Sequence, residues 1–134
     1  MNRVTIFGDI HGNLPALDAV LGDMDKREPS PLYCLGDLVG YGTFPNEVIE
    51  TIRERNILTL MGNYDQGVGN SSDDCGCAYT NKAAEELGKR SIAWSNQNTT
   101  EENKSYLRQL TDQIPLALGG LRVQLVHGSP RKIN

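Results

Sequence analysis

Three short apolar runs, each closed by a glycine and then a carboxylate or amide, most constrain what this chain can become. Arg3 to Gly8 alternates into a β-branched run that reads as a strand ending at Gly8-Asp9. Asn13 then reads as a helix N-cap and Pro15 fits the first turn. Leu14, Leu17, Val20, Leu21 and Met24 recur at helical spacing through about Lys26. The unit repeats: Leu32 to Leu35 is a strand ending at Gly36-Asp37, and Pro45 to Arg55 is a helix with Val48, Ile49 and Ile52 on one face. Ile57 to Met61 is a third strand, ended by Gly62-Asn63. Such alternation predicts an α/β protein with a parallel sheet and right-handed crossovers, which puts all three loops at the carboxyl end of the strands.

The remainder completes one domain over residues 1–134, since 134 residues can bury one real core but not two. Gly67 to Cys77 is rich in Gly, Asn, Ser and Asp and predicts a mobile loop that could act as a lid. Asn81 to Trp94 reads as a helix with Ala83, Ala84, Leu87 and Ile92 as core contacts, and the lone Trp94 is also expected in the core. Thr100 to Leu110 reads as another helix, capped by Thr99 or Thr100. Ile114 to Leu118 and Leu121 to Val126 predict a hairpin joined by Gly119-Gly120, whose second strand delivers His127.

A net charge of -4 without any Lys/Arg run argues against a sequence-independent grip on nucleic-acid backbone. Met1 to Phe7 is too short for a secretory apolar region and no run approaches membrane-spanning length, so a cytoplasmic setting is expected. Three cysteines do not suggest a disulfide framework. Cys34 reads as a small buried hydrophobe. Cys75 and Cys77, preceded by Asp73 and Asp74, form a C-x-C without a second Cys or His pair to close a tetrahedral metal site, so a polar loop is the expected reading.

The chemistry lies in four clusters at the strand ends: Gly8 to Asn13, Gly36 to Gly40, Gly62 to Asp65, and His127 to Pro130. Asp, Asn and neutral His are ligands for divalent metals, and loops at one end of a sheet can gather sequence-distant ligands. Asp9 and His11 are two residues apart, so on a strand extension they would face one side and bind one ion together. Asp37 has two oxygens with which to bridge two ions, while Asn63 and His127 offer an oxygen and a nitrogen to the second. Two ions roughly 3.5–4 Å apart would activate a water and clamp phosphoryl oxygens, so phosphoester hydrolysis is the expected reaction. Each cluster alone is ordinary turn chemistry; the joint pattern carries the expectation.

In this order the clusters resemble the motifs D-x-H, G-D, G-N-H-[DE] and H of calcineurin-like metallophosphoesterases, a family whose series ends in G-H-x-H, with the match running from residue 3 to 130. The resemblance implies a two-sheet β-sandwich flanked by helices in αββα layers, with the site at the strand ends. It implies that Asp9 and His11 bind the first metal, that Asp37 bridges, and that Asn63 and His127 bind the second. Mn²⁺ is the first choice for such mixed oxygen and nitrogen ligands, with Mg²⁺, Zn²⁺ and Fe as alternatives. Gly36 to Gly42 with Pro45-Asn46-Glu47, and His127 to Pro130, are similar to the bacterial branch of small metallophosphoesterases, including those labelled diadenosine-tetraphosphatase-like or phosphodiesterase-like. A small phosphoester, nucleotides included, is the implied substrate.

Three departures qualify the resemblance. Tyr64 stands where many relatives carry the histidine that protonates the leaving group; a phenol with a reference pKa near 10 donates hydrogen bonds but is a weak acid catalyst, which would favour activated esters. Tyr64 and Asp37 are thus the catalytic candidates. Gly40 and Tyr41 replace the acidic residue and arginine of the protein-phosphatase branch, which disfavours a serine/threonine phosphatase. The sequence ends at Asn134 before any G-H-x-H, and His11 and His127 are its two histidines, so a truncated parent with an exposed edge near Val123 to Val126 is expected. The competing reading is a protein-interaction scaffold with a damaged site, as in the retromer subunit that shares this fold. A homo-oligomer in which a second chain completes the site is compatible with either. Asn13 reads equally as a phosphate contact or a cap, and Tyr41 as stacking on a substrate base or as packing.

Overall fold

The computed structural model describes residues 2–134. Strands β1 (Thr5–Phe7), β2 (Leu32–Cys34) and β3 (Leu58–Thr59) form a parallel sheet in that order, with Phe7 opposite Cys34 and Cys34 opposite Thr59. The strands are shorter than the apolar runs that predict them. The backbone leaves the extended region as soon as the site loops begin, at Asp9 (φ 53°), Gly36 (φ 97°) and Asp37 (φ 56°).

Helix α1 (Leu14–Met24) starts as its sequence requires, with the Asn13 side chain accepting the Ala16 N–H at 3.1 Å and Pro15 in the first turn. Helix α2 (Pro45–Glu54) carries Glu47 in its first turn and Arg53 in its last, both favourable to the helix dipole. Leu17 and Leu21 of α1 and Val48, Ile49 and Ile52 of α2 are buried in one cluster with Cys34 of the central strand. Each such aliphatic side chain contributes about 1.5–3 kcal/mol on leaving water.

Alternation along β2 sends Tyr33 and Leu35 to the opposite face, where they meet Leu60, Ile114 and Leu125 in a second cluster. Ile114 and Leu125 belong to the antiparallel hairpin of β4 (Gln113–Leu118) and β5 (Leu121–Val126), which turns at Gly119 and Gly120, both at positive φ. An isolated parallel bridge between Leu60 and Thr111 ties the hairpin to the end of β3. The result is the expected pair of packed sheets with helices outside. Among the described residues β5 pairs only with β4, so its other edge is open, as expected for Val123 to Val126.

Two segments between the second sheet and the first depart from the expected elements. The segment expected to open into a loop at Gly67 is instead the end of a buried helix, α3 (Asn63–Gly69). Its composition is poor for a helix, but Asp65 caps its first turn and Tyr64 and Val68 are buried, and tertiary burial overrides weak propensity. The loop that follows is anchored rather than free along its first part: Asn96 donates to the Ser72 carbonyl at 2.7 Å. The second departure is one of phase. Helix α4 (Lys82–Asn98), capped by Asn81, buries Gly88, Ile92 and Ser95, while Leu87 is 64% and Trp94 38% exposed, and Ala83 is exposed too. Ile92 is buried as expected, but the rest of the inward stripe is built of the small residues Gly88 and Ser95, so Leu87 and Trp94 fall on the outer side. Helix α5 (Glu101–Arg108) is capped by Thr100, as expected. No helix among the described residues is long and apolar enough to cross a membrane.

Candidate metal centre

The loops leaving the three parallel strands are stitched together by their backbones. Asp9 N–H donates to the Gly36 carbonyl at 3.0 Å, His11 N–H to Asp37 at 2.9 Å and Gly12 N–H to Leu38 at 2.8 Å. Asp9, His11, Asp37 and Tyr41 all hold left-handed backbone, with φ between 50° and 57°. For residues other than glycine this costs on the order of 1 kcal/mol or more each, and such strain gathers at functional sites. It also corrects the argument for Asp9 and His11: they sit in a left-handed loop, not on a strand extension, so strand alternation does not set their directions.

Oxygens of Asp9 and Asp37 and a ring nitrogen of His127 lie within 4.8 Å of one another. His11 Nε2 and His127 Nε2 are each 3.6 Å from Asp37 Oδ2, and Asn63 Oδ1 is 3.2 Å from His127 Nε2. The structure therefore brings all five expected ligands to one place. Asp37 and Asn63 are buried, His11 and His127 half-buried, and Asp9 exposed.

What these atoms present to the centre follows from their other bonds. His11 Nδ1 is 2.9 Å from the Val39 carbonyl and His127 Nδ1 is 2.7 Å from the Leu35 carbonyl. A carbonyl only accepts, so each Nδ1 carries the proton, and in the neutral ring Nε2 is left with a bare lone pair. Asn63 Nδ2 donates to the Cys75 carbonyl at 3.0 Å, which turns Oδ1 toward His127. Asp37 Oδ1 accepts the Tyr64 N–H at 2.9 Å and leaves Oδ2 facing inward. With both rings neutral and Asp37 ionised, lone pairs converge with no proton between them. That arrangement is repulsive alone and suited to a cation, and its mixture of oxygen and imidazole donors fits divalent first-row metals.

Asp65, to which the sequence reading gives no role, holds the arrangement from behind. Its wholly buried carboxylate accepts the backbone N–H groups of Asp37 (2.7 Å), Leu38 (2.8 Å) and Gly62 (2.9 Å). Burial, and then the Asp37 charge, push its pKa up to about 7 against those three bonds. Asp37 is also raised, mainly by burial, with the Tyr64 N–H and both histidines opposing. The available signal is a carboxylate three residues after Gly62, the position that caps a helix from within its first turn.

Tyr64 is only 3% exposed and packs edge-on against His11, with ring centroids 4.9 Å apart. Its hydroxyl donates to that of Tyr41 at 2.5 Å. Burial, then contacts with Cys77, Tyr41 and Cys75, push the phenol well above its ordinary pKa. Tyr41, left open by sequence, is 53% exposed and is where this pair meets solvent; Ser91 Oγ accepts its backbone N–H at 2.6 Å. Gly40, at φ 90°, lies under the Tyr64 ring, and a Cβ there would run into it. The departures at positions 40 and 64 are thus one structural unit. Two clefts flank the cluster: one of about 290 Å³ includes His127, Arg131 and Lys132, and one of about 490 Å³ includes Asp9, His11, Tyr41 and Phe44.

The sequence model of the calcineurin-like phosphoesterase family matches residues 2–134. Uncharacterized protein MJ0912 of Methanocaldococcus jannaschii is 40% identical over 131 residues, which are 97% of this chain and 51% of that protein. Among solved structures, a metallophosphoesterase from Sphaerobacter thermophilus is similar with a TM-score of 0.67 and 31% identity, covering 96% of this chain and 47% of its own. Hypothetical protein PH1004 from Pyrococcus horikoshii OT3 is similar with a TM-score of 0.80 and 27% identity, covering 98% and 57%. The chain spans about half the length of these relatives.

Proposed function

The chain belongs to the calcineurin-like phosphoesterase family, and on that premise we propose that it serves metal-dependent hydrolysis of a small phosphoester, nucleotides included, in a cytoplasmic setting. Asp9, His11 and Asp37 would hold one divalent ion and Asp37, Asn63 and His127 a second, with Mn²⁺ first and Mg²⁺, Zn²⁺ or Fe as alternatives. Bound there, such ions supply Lewis acidity toward phosphoryl oxygens and lower the pKa of an attacking water.

The observation that carries this reading is the convergence of lone pairs: two imidazole Nε2 atoms, Asn63 Oδ1 and Asp37 Oδ2, with both Nδ1 protons committed to carbonyls. The chain's own residues hold that geometry. The Val39 and Leu35 carbonyls fix the imidazole rings, the Cys75 carbonyl fixes the Asn63 amide, and Asp65 fixes the backbone of the Asp37 loop. Asn13 uses its Oδ1 to cap α1, which leaves its Nδ2 as the donor for a phosphate oxygen. Tyr64 donates its hydroxyl to Tyr41, whose own hydroxyl beside His11 is suited to hydrogen-bonding a phosphoryl or leaving-group oxygen more than to protonating a poor leaving group. The exposed rings of Tyr41 and Phe44 suit a base or aromatic leaving group, and Arg131 and Lys132 in the opposite cleft suit further phosphate charge.

The test is hydrolysis of bis-p-nitrophenyl phosphate and p-nitrophenyl phosphate with Mn²⁺, with Mg²⁺ and with chelator, beside an Asp37→Asn control. Metal-dependent turnover that disappears in the control is expected, and the preferred ester sorts diesterase from monoesterase. A folded sample without turnover in any metal would sink catalysis by residues 1–134. The scaffold reading draws its support from the enclosed Tyr64 hydroxyl, and it requires partner binding that survives chelator.

A further inference from the structure

We propose that Cys75 and Cys77 form a reversible disulfide whose closure releases the Asn63 amide from its anchor. The two sulfurs lie 2.6 Å apart, brought side by side by a turn at Gly76, whose φ is 70°. Both are free thiols, Cys75 buried and Cys77 half-buried. The pair does not stand alone: Asn63 Nδ2 donates to the Cys75 carbonyl at 3.0 Å and reaches Cys77 Sγ at 3.4 Å. A side chain of the metal centre is therefore held by the same two residues that can be oxidised.

The oxidant class is a low-molecular-weight disulfide. The more accessible Cys77 sulfur attacks it, forming a mixed disulfide, and one thiol leaves with the bonding pair and the Cys77 proton. The Cys75 sulfur then attacks Cys77, and the second thiol leaves with the Cys75 proton. Two protein thiols are oxidised and one small disulfide is reduced to two thiols. The Cys75 carbonyl carbon is a member of the ring this closes and the Cys77 sulfur is an atom of the new bond, so closure acts on both partners of the Asn63 amide. Losing such an outer partner typically weakens metal affinity by about 10–100-fold. By linkage, bound metal protects the dithiol from oxidation by the same factor.

The disulfide itself does not depend on any catalytic role, whereas its effect on metal affinity rests on Asn63 serving an ion. The experiment treats the chain with oxidised glutathione and follows intact mass and disulfide-mapped peptides. Loss of two hydrogens, mapped to Cys75–Cys77 and reversed by dithiothreitol, is expected; Cys75→Ser should instead retain glutathione on Cys77, and Cys34→Ser should behave as the parent. No bridge in the parent, or a bridge that uses Cys34, would overturn the site. Calorimetric Mn²⁺ binding to the reduced and oxidised forms then tests the coupling: affinity weaker by about tenfold or more after oxidation is expected. Equal affinities would overturn the coupling. A reduced protein that binds no Mn²⁺ would overturn it together with the reading of Asn63 as a ligand, leaving the thiol result intact.

Discussion

The Asp65 carboxylate meets the backbone N–H of Asp37 at 2.7 Å, with Asp65 entirely out of water. Since it also takes the N–H groups of Leu38 and Gly62, one side chain sets both the loop after β2 and the start of α3. Asp65→Ala leaves three buried donors without a partner and is expected to cost about 3–5 kcal/mol. Urea unfolding measures it; a loss below about 1 kcal/mol would mean that water replaces the carboxylate without penalty.

Stability of the metal-free protein should fall as pH rises. Asp65, up to about 7, and Asp37, also raised, are acids whose native pKa exceeds the ordinary value of 3.8. The native state therefore keeps their protons longer than the unfolded chain does. The stabilisation is complete below the unfolded value and is lost as pH climbs through the native one. Melting temperature in chelator is expected to decline between about pH 4 and pH 7. With Mn²⁺ at a hundredfold excess over its Kd the ionised carboxylates are the bound form, and about 2.7 kcal/mol should be regained near neutrality. A curve that rises with pH in chelator would contradict the assignment.

Tyr41 and Tyr64 should act as one unit. Tyr64→Phe and Tyr41→Phe are each expected to slow hydrolysis of esters with poor leaving groups by about tenfold and to spare p-nitrophenyl esters. Because the two hydroxyls share a hydrogen bond, the double variant should be no worse than the poorer single one, a coupling of about 0.5–3 kcal/mol. Strict additivity in the kinetic cycle would separate the two residues.

Gly40→Ala should destabilise by about 2–3 kcal/mol, because the new Cβ strikes the Tyr64 ring and the backbone is left-handed there. In a Tyr64→Ala background the steric part vanishes, and the same substitution should cost only the backbone share of about 1 kcal/mol. Equal costs in both backgrounds would show that the ring yields.

The parallel strands, α1, α2, α5 and the hairpin were legible because pattern, caps and turn residues agree: Asn13, Thr100 and the Gly119-Gly120 turn all act as their types suggest. The five ligand candidates were legible for the same reason, each marking the end of an apolar run. What stayed hidden depends on contacts between distant segments. Helix α3 forms against its own propensity because Asp65 and Val68 are buried by other elements. Beside Ile92, the inward face of α4 is lined by Gly88 and Ser95, which carry no hydropathic signal. The tautomers of His11 and His127 are set by the Val39 and Leu35 carbonyls, which any residue could have supplied.

The left-handed backbone at Asp9, His11, Asp37 and Tyr41 sets durability against chemistry in this molecule. Glycine at any of the four would relax the chain and at the same time delete a proposed ligand or a hydroxyl. A directed-evolution screen that rewards heat resistance alone would drift toward glycine at these positions and return sturdier proteins stripped of the proposed metal centre. A screen for turnover would hold all four and gather its stabilising changes in the distant packing of α4 and the hairpin.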